Sequence, residues 1–557
     1  MKRIVTAPMA LIALLACAGC GGGKQDAVAP NKVDKNGVTV GEQLGGPPVT
    51  KEAADAFSAA VTDFKKHEDA RDWDDAACTA VSGEFLAAGK AQGGKFPAAH
   101  YNAGVSLLHC GHEDEASSEF ELALSEAADL ASASSDPKVK ADPVFHQVWV
   151  QKALIRYRKG DVPGISEAID IIINKGFDPD GSQNVEAFVN LGMLYRERWT
   201  KDPTNKDRTA KDKLVGLDDD LARSQFWLQN ALSIDDAFMP AYNQLALYYL
   251  DKARYVGQKN FDKAKATATK KDKEMKPKAD LQTLETGLLV AQEASRRDAG
   301  YAGIWNTQGL ILLEIGRTGA ATQAFKLATE KDAKFFEAWM NYAAINLAFR
   351  GYGEAATGYK SALSIRTKDY DASLGFAVAT RGQLDFALTT KQAMERRISE
   401  CTDPDKASSP DCQQANKDFP AQIKDYGSKF VQYYADAEKA YDACVALDGG
   451  RAEAFFDKGL LVEKYKAKAQ PDKTTTQAAY EQAASIYEDL ASKFAGNPKY
   501  TKLVDDAKSR GVEARKSAKF EADSAAAAAA PPPKATSAPP AASSAAPPAA
   551  SGSAKKP

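Results

Sequence analysis

His109, Cys110 and His112 stand together in this chain, and Cys78 could be folded back to join them. Imidazole and thiolate are the ligands of tetrahedral zinc, which needs about four of them converging on one point. The run falls at a tight turn between two helices, where polar residues are normal without any metal, so no metal site is expected. The chain has five histidines, His67, His100, His109, His112 and His146, on which a general base could be built. No nucleophile elbow and no phosphate-cradling glycine loop of the familiar kind accompanies them. No catalytic residue and no cofactor is expected, and the reading is of a protein that is not an enzyme.

What the chain repeats is packing chemistry. From Trp305, small or aromatic residues fall at Gly309, Ala321, Phe325 and Ala328. From Trp339 they fall at Ala343, Ala355, Tyr359 and Ala362, with the same steps of 4, 12, 4 and 3 residues and a period of 34. His100, Gly104, Ala116, Phe120 and Ala123 follow the full ladder. Half-ladders appear at Phe188, Leu191, Gly192 and Tyr195, at Tyr242, Leu245, Ala246 and Tyr249, and at Ala437, Tyr441 and Cys444.

The physics of the ladder is local. Residues four apart share a helix face. Gly309 and Ala321 let two antiparallel helices approach closely, and Trp305 and Phe325 fill the spaces beside them. Gly316 suits the left-handed residue that ends the first helix. One hairpin cannot bury such a face alone, so neighbouring hairpins must stack on it. These spacings resemble the tetratricopeptide repeat, unevenly over residues 51–515. The resemblance implies an all-α solenoid of helical hairpins, an architecture that binds other proteins.

The N-terminus reads as an export signal: Lys2 and Arg3, then an apolar run from Ile4 to Ala16, ending in small residues. The run is short for a membrane span. Its end resembles a bacterial lipobox, in which a cysteine is lipidated and becomes the first mature residue. Cys20, preceded by Ala18 and Gly19, is the preferred lipidation site, and Cys17, preceded by Leu14, Leu15 and Ala16, is the rival. Neither is followed by the aspartate that retains lipoproteins in the inner membrane. The resemblance therefore implies a lipid-anchored protein on the periplasmic face of the outer membrane.

A net charge of −3 gives no electrostatic case for nucleic acid. Five cysteines lie beyond the lipobox: Cys78, Cys110, Cys401, Cys412 and Cys444. In an oxidising compartment the simplest allocation is two bridges among the first four plus a buried thiol at Cys444; connectivity stays open. The expected organisation is a signal over 1–20, a flexible tether over 21–50 and N-terminal helical repeats over 51–180. Central repeats with charged insertions follow over 181–396, C-terminal helical repeats over 397–518, and a disordered Ala/Pro/Ser tail over 519–557. The insertions are 199–219, 251–280 and 397–420, the last expected as a loop bracketed by Cys401 and Cys412. The stretch 251–280 carries ten Lys or Arg against five acids. It is either a solvated helical extension or a docking surface for an acidic partner or anionic lipid headgroups.

In the tetratricopeptide resemblance, Asn243, Leu247 and Leu250, then Asn306, Leu310 and Leu313, then Met340, Ala344 and Leu347 line the inner groove of the stack. They are either a wall for a partner's extended segment or helix, or packing between adjacent first helices. The layout of lipobox, interrupted repeats and Ala/Pro/Ser tail resembles the tetratricopeptide lipoproteins of myxobacterial adventurous gliding motility. That implies a scaffold linking an envelope machine to the outer membrane, with other envelope proteins as partners. The alternatives are a pilotin-like assembly lipoprotein for a secretin or type IV pilus, and an envelope enzyme with accessory repeats.

Overall fold

The computed structural model describes residues 49–70, 72–133, 143–158, 160–177, 185–204, 217, 219–266, 277–472 and 474–529. Among them all regular secondary structure is helical, in twenty helices. The chain divides into two compact units, residues 1–383 and 384–557.

The first unit is a run of antiparallel helix pairs. They are α1 (Lys51–Ala70) with α2 (Asp75–Gln92), α3 (Pro97–Leu108) with α4 (Glu113–Ala133), and α5 (Pro143–Tyr157) with α6 (Val162–Lys175). Next come α7 (Val185–Lys201) with α8 (Asp220–Ile234), and α9 (Met239–Ala266) with α10 (Leu281–Arg297). The two full ladders are α11 (Ala302–Ile315) with α12 (Thr318–Lys331), and α13 (Phe336–Ala348) with α14 (Tyr352–Ile365). Helix α15 (Tyr370–Glu400) carries the chain into the second unit. There follow α16 (Pro404–Ala407), α17 (Pro410–Leu447), α18 (Glu453–Ala469), α19 (Thr476–Lys493) and α20 (Thr501–Ala529).

Short-range chemistry sets the helix ends. Asp74, Asp161, Asp219 and Asp280 each accept a hydrogen bond from the backbone N–H three residues on, at 2.8, 2.7, 2.7 and 3.0 Å. That satisfies one of the orphan donors of the first turn. Gly316 ends α11 with φ 88°. At the matching place 34 residues later the chain puts Arg350, φ 64°, the one non-glycine residue with positive φ among those described.

In four of the hairpins the core is a small residue pressed against a large one. A Cβ on Gly309 would lie 2.6 Å from the Phe325 ring, and one on Gly104 would lie 2.6 Å from Phe120. Gly192 stands against Leu228 in the same way (2.5 Å), although an insertion separates their helices, and so does Gly459 against Tyr487 (2.5 Å). The helices meet at these glycines because nothing larger than hydrogen fits between the backbone and the opposing side chain.

Several expectations need correcting. Trp305 and Trp339 do not fill the hairpin core; both are half-buried. Each indole N–H reaches back to a backbone carbonyl six residues earlier, Ala299 at 3.0 Å and Ala333 at 2.8 Å. Residues 397–420 are mainly helical rather than a loop, with α16 inside them and Cys412 in the first turn of α17. Pro404 and Pro410 sit at helix starts, where a missing N–H costs nothing. The helix α20 runs past Ala518 and Ser524 to Ala529, so the alanines there extend it, as their high propensity favours. At the other end Val49, assigned to the tether, is buried in the first core. The signal with Cys17 and Cys20, residues 21–48 of the tether and residues 530–557 of the tail lie outside the described residues.

Candidate functional site

The residues proposed for the inner groove are brought together, but mostly into the core. Leu247, Leu250, Asn306, Leu310, Met340 and Ala344 are buried. Leu247, Leu250, Leu310 and Ala344 belong to one cluster of first-helix side chains. Of the two readings left open for these residues, packing between adjacent first helices is the one seen for the buried ones: α9, α11 and α13 lie so close that their facing side chains cover one another. Asn243, Leu313 and Leu347 remain half-buried at its rim. The asparagines are spent on the same seam. Thr307 donates to Asn243 at 2.6 Å, and Asn341 donates to Asn306 at 2.9 Å.

Beside this seam runs an ionic ribbon that periodicity reasoning missed. Arg196 on α7 pairs with Asp251 on α9 (2.7 Å), and Arg254 pairs with Glu314 on α11 (2.6 Å). Arg254 also stands 3.8 Å from Asp251, so one chain of charges ties three successive first helices. Burial, opposed by Arg196, raises the carboxyl of Glu197 above its ordinary range. At the foot of the ribbon, Asp220 takes two bonds from Arg198 (2.8 and 2.9 Å) and one from Arg223 (2.7 Å). These three side chains are 2%, 1% and 0% exposed. Arg198 also donates to Ser166 (3.0 Å), and Arg223 to the Leu217 carbonyl (2.7 Å). The network therefore ties α7 to α8 where the 199–219 insertion leaves and returns, and Arg198 adds a bond to the hairpin before it. The only sequence signal is the pair Arg196 and Arg198 in the otherwise amphipathic α7. A buried charge is visible in sequence only once its partner 22 residues away is known.

The histidine and cysteine cluster also assembles, with different chemistry. Cys78 and Cys110 form a disulfide with Cα atoms 6.4 Å apart. His109 stacks on Trp73 at 4.5 Å, nearly parallel. Burial, helped by Arg158, pushes its imidazole down to about 4, although Glu68 stands 3.3 Å away. Glu68 is itself engaged by the Trp73 indole N–H at 2.8 Å. His112 bonds Asp75 at 3.1 Å. Among the described residues no group of three or more His, Cys, Asp or Glu could hold a metal ion. Cys401 and Cys412 form a second disulfide, and Cys444 is a buried thiol.

What this arrangement can do is present surfaces. The half-buried rim of Asn243, Leu313 and Leu347, the ribbon ending at Glu314, and the exposed part of α9 beyond its hairpin are such surfaces on the first helices.

No family model and no curated protein matches the sequence. Among solved structures, the chain is similar to a thermophilic tetratricopeptide-repeat protein of Thermus thermophilus (19% identity, 42% of this chain and 98% of that one, TM-score 0.30). It is similar to pilF of Pseudomonas aeruginosa (14%, 58% and 97%, TM-score 0.31). It is also similar to a tetratricopeptide-repeat protein of Parabacteroides merdae (13%, 66% and 98%, TM-score 0.28). Ladder spacing, paired helices and glycine-against-ring cores together make the chain's fold tetratricopeptide-like, a type of fold that generally mediates protein–protein interaction.

Proposed function

We propose that this chain is a non-catalytic scaffold: an outer-membrane lipoprotein, anchored by Cys20 and facing the periplasm, that holds together proteins of an envelope-spanning machine. Gliding motility is the machine its layout best fits. The observation that carries the scaffold reading is the continuous stack of hairpins in the first unit, whose recurring residues are used for packing one helix on the next. The signal-like start, the small pair before Cys20 and the glycine after it support the location. Two disulfides fit an oxidising compartment.

The test is fractionation of cells carrying Cys17→Ser, Cys20→Ser or both changes, followed by co-purification of bound proteins from each fraction. The wild type should sediment with the outer membrane and carry partners in fixed stoichiometry. The Cys20→Ser form should be released. A doubly changed protein that still sediments there would overturn lipid anchoring, and a wild type that purifies alone from every fraction would overturn the scaffold.

A further inference from the structure

Helix α9 is 28 residues long, against 14 and 13 for the first helices of the next two hairpins. Its partner α10 begins at Leu281, and the leg leading into it crosses α9 at Gly257. A Cβ on Gly257 would lie 2.0 Å from the Lys278 carbonyl, so glycine alone permits this crossing. Asp280 closes the crossing by donating its N–H to the Ala253 carbonyl at 2.9 Å. The helix beyond Gly257 therefore leaves the hairpin from a fixed base.

This extension is cationic, and among the described residues its lysines have no carboxylate partner. Lys259, Lys263, Lys265 and Lys278 are exposed and make no ion pair with any carboxylate among the described residues. Lys259 lies 4.4 Å over the Tyr255 ring and Lys265 lies 5.9 Å over Phe261, contacts that hold the ammonium groups near the helix without neutralising them. The single carboxylate between Lys252 and Lys265, that of Asp262, accepts from Gln258 at 2.8 Å. Elsewhere in the first unit the basic side chains are largely used internally: Arg158 with Glu113, Arg254 with Glu314, Arg297 with Glu293 and Asp236. Lys259 and Lys263 are one turn apart on a shared helix face.

We infer that this lysine-bearing extension of α9 is a docking surface for an acidic polypeptide segment of a partner protein. A helix that lies on a membrane buries an apolar face. The extension offers none, since Phe261 is half-buried and every other residue from Gln258 to Lys265 is polar or alanine. Compact ammonium charges on a projecting helix instead attract a run of carboxylates, and they speed its arrival in a salt-dependent way. The inference rests on the scaffold reading and supplies one kind of partner for it.

The experiment uses the full chain, a fluorescein-labelled polyglutamate peptide, a polyglutamine peptide of equal length, and phosphatidylcholine vesicles containing phosphatidylglycerol. Binding is followed by anisotropy and by co-sedimentation. One variant carries Lys259→Gln, Lys263→Gln and Lys265→Gln. A control removes the same charge elsewhere, with Lys502→Gln, Lys508→Gln and Lys516→Gln on α20, all exposed. Circular dichroism confirms that both remain folded. Polyglutamate should bind the wild type and the control alike, with salt weakening it, and should bind the α9 variant about tenfold more weakly, a change of roughly 1.4 kcal/mol. Polyglutamine should not bind. Equal loss in both variants, no loss in the α9 variant, or lysine-dependent sedimentation with vesicles without peptide binding would each overturn the assignment. None of these outcomes bears on whether partners co-purify from cells, so the scaffold reading stands or falls separately.

Discussion

Asp220 is the residue whose removal best tests the packing described above. It is buried and accepts three hydrogen bonds from two arginines, themselves buried. Asp220→Ala leaves Arg198 with its bond to Ser166, and Arg223 with its bond to the Leu217 carbonyl, but neither with that carboxylate. Breaking a buried ion pair from one side costs roughly 3–5 kcal/mol, because the remaining charge stays out of water. The neighbour supplies the control. Asp219 is the N-cap of α8, bonding the Ala222 N–H at 2.7 Å, and its loss should cost about 1 kcal/mol. Urea denaturation followed at 222 nm, with hydrogen exchange read over residues 185–234, separates the two. The Asp220→Ala protein should lose protection in α7 and α8 far beyond that of Asp219→Ala. Replacing Asp220, Arg198 and Arg223 together by apolar residues of similar volume should restore much of the loss, since a whole buried network exchanges for apolar packing at little net cost. If Asp220→Ala is no more destabilised than Asp219→Ala, the clamp at the insertion is not a buried ionic network and the reasoning fails.

Three further outcomes follow from the same geometry. Gly309→Val should destabilise the α11–α12 hairpin by several kcal/mol, roughly as other overpacked cores do, because its Cβ would meet Phe325 at 2.6 Å; a melting temperature equal to wild type would show that the hairpins do not meet there. Arg350→Gly should stabilise by about 1 kcal/mol, since φ 64° strains an L side chain and not glycine; thermal unfolding that moves downward would contradict it. Burial holds the His109 imidazole down to about 4, below its unfolded value of 6.5. In that window the unfolded chain binds the extra proton, so stability rises with pH and is lost as pH falls from 6.5 towards 4. His109→Phe, which keeps a ring against Trp73, should flatten that part of the stability–pH curve, and an unchanged slope would sink the assignment.

The sequence made the hairpins legible because their packing is local. Gly104 with Phe120 and Gly309 with Phe325 are each 16 residues apart, and a fixed spacing survives as a pattern. Of the same contact between Gly192 and Leu228 only the Gly192 half was visible, because the insertion between them changes the spacing without changing the packing. The tryptophans misled because a large aromatic in a repeat suggests a core, whereas Trp305 and Trp339 use their indole N–H on backbone carbonyls at the hairpin edge. The groove residues were found, but the sequence left open whether they face a partner or pack on the adjacent first helix. Whether Leu310 or Met340 faces a partner or the adjacent helix depends on how closely successive first helices approach, which no spacing within one helix encodes. The ionic ribbon stayed hidden for the same reason: Arg254 and Glu314 are 60 residues apart and belong to different repeats.

The scaffold claim is tested most directly by a photo-crosslinking amino acid placed in the living cell at Leu313 and Leu347 on the half-buried rim. Leu289, which is 63% exposed on α10, serves as the comparison. The account predicts that one or a few discrete proteins are captured from both rim positions and not from Leu289. Capture of nothing from the rim, or the same unselective mixture from all three positions, would contradict it.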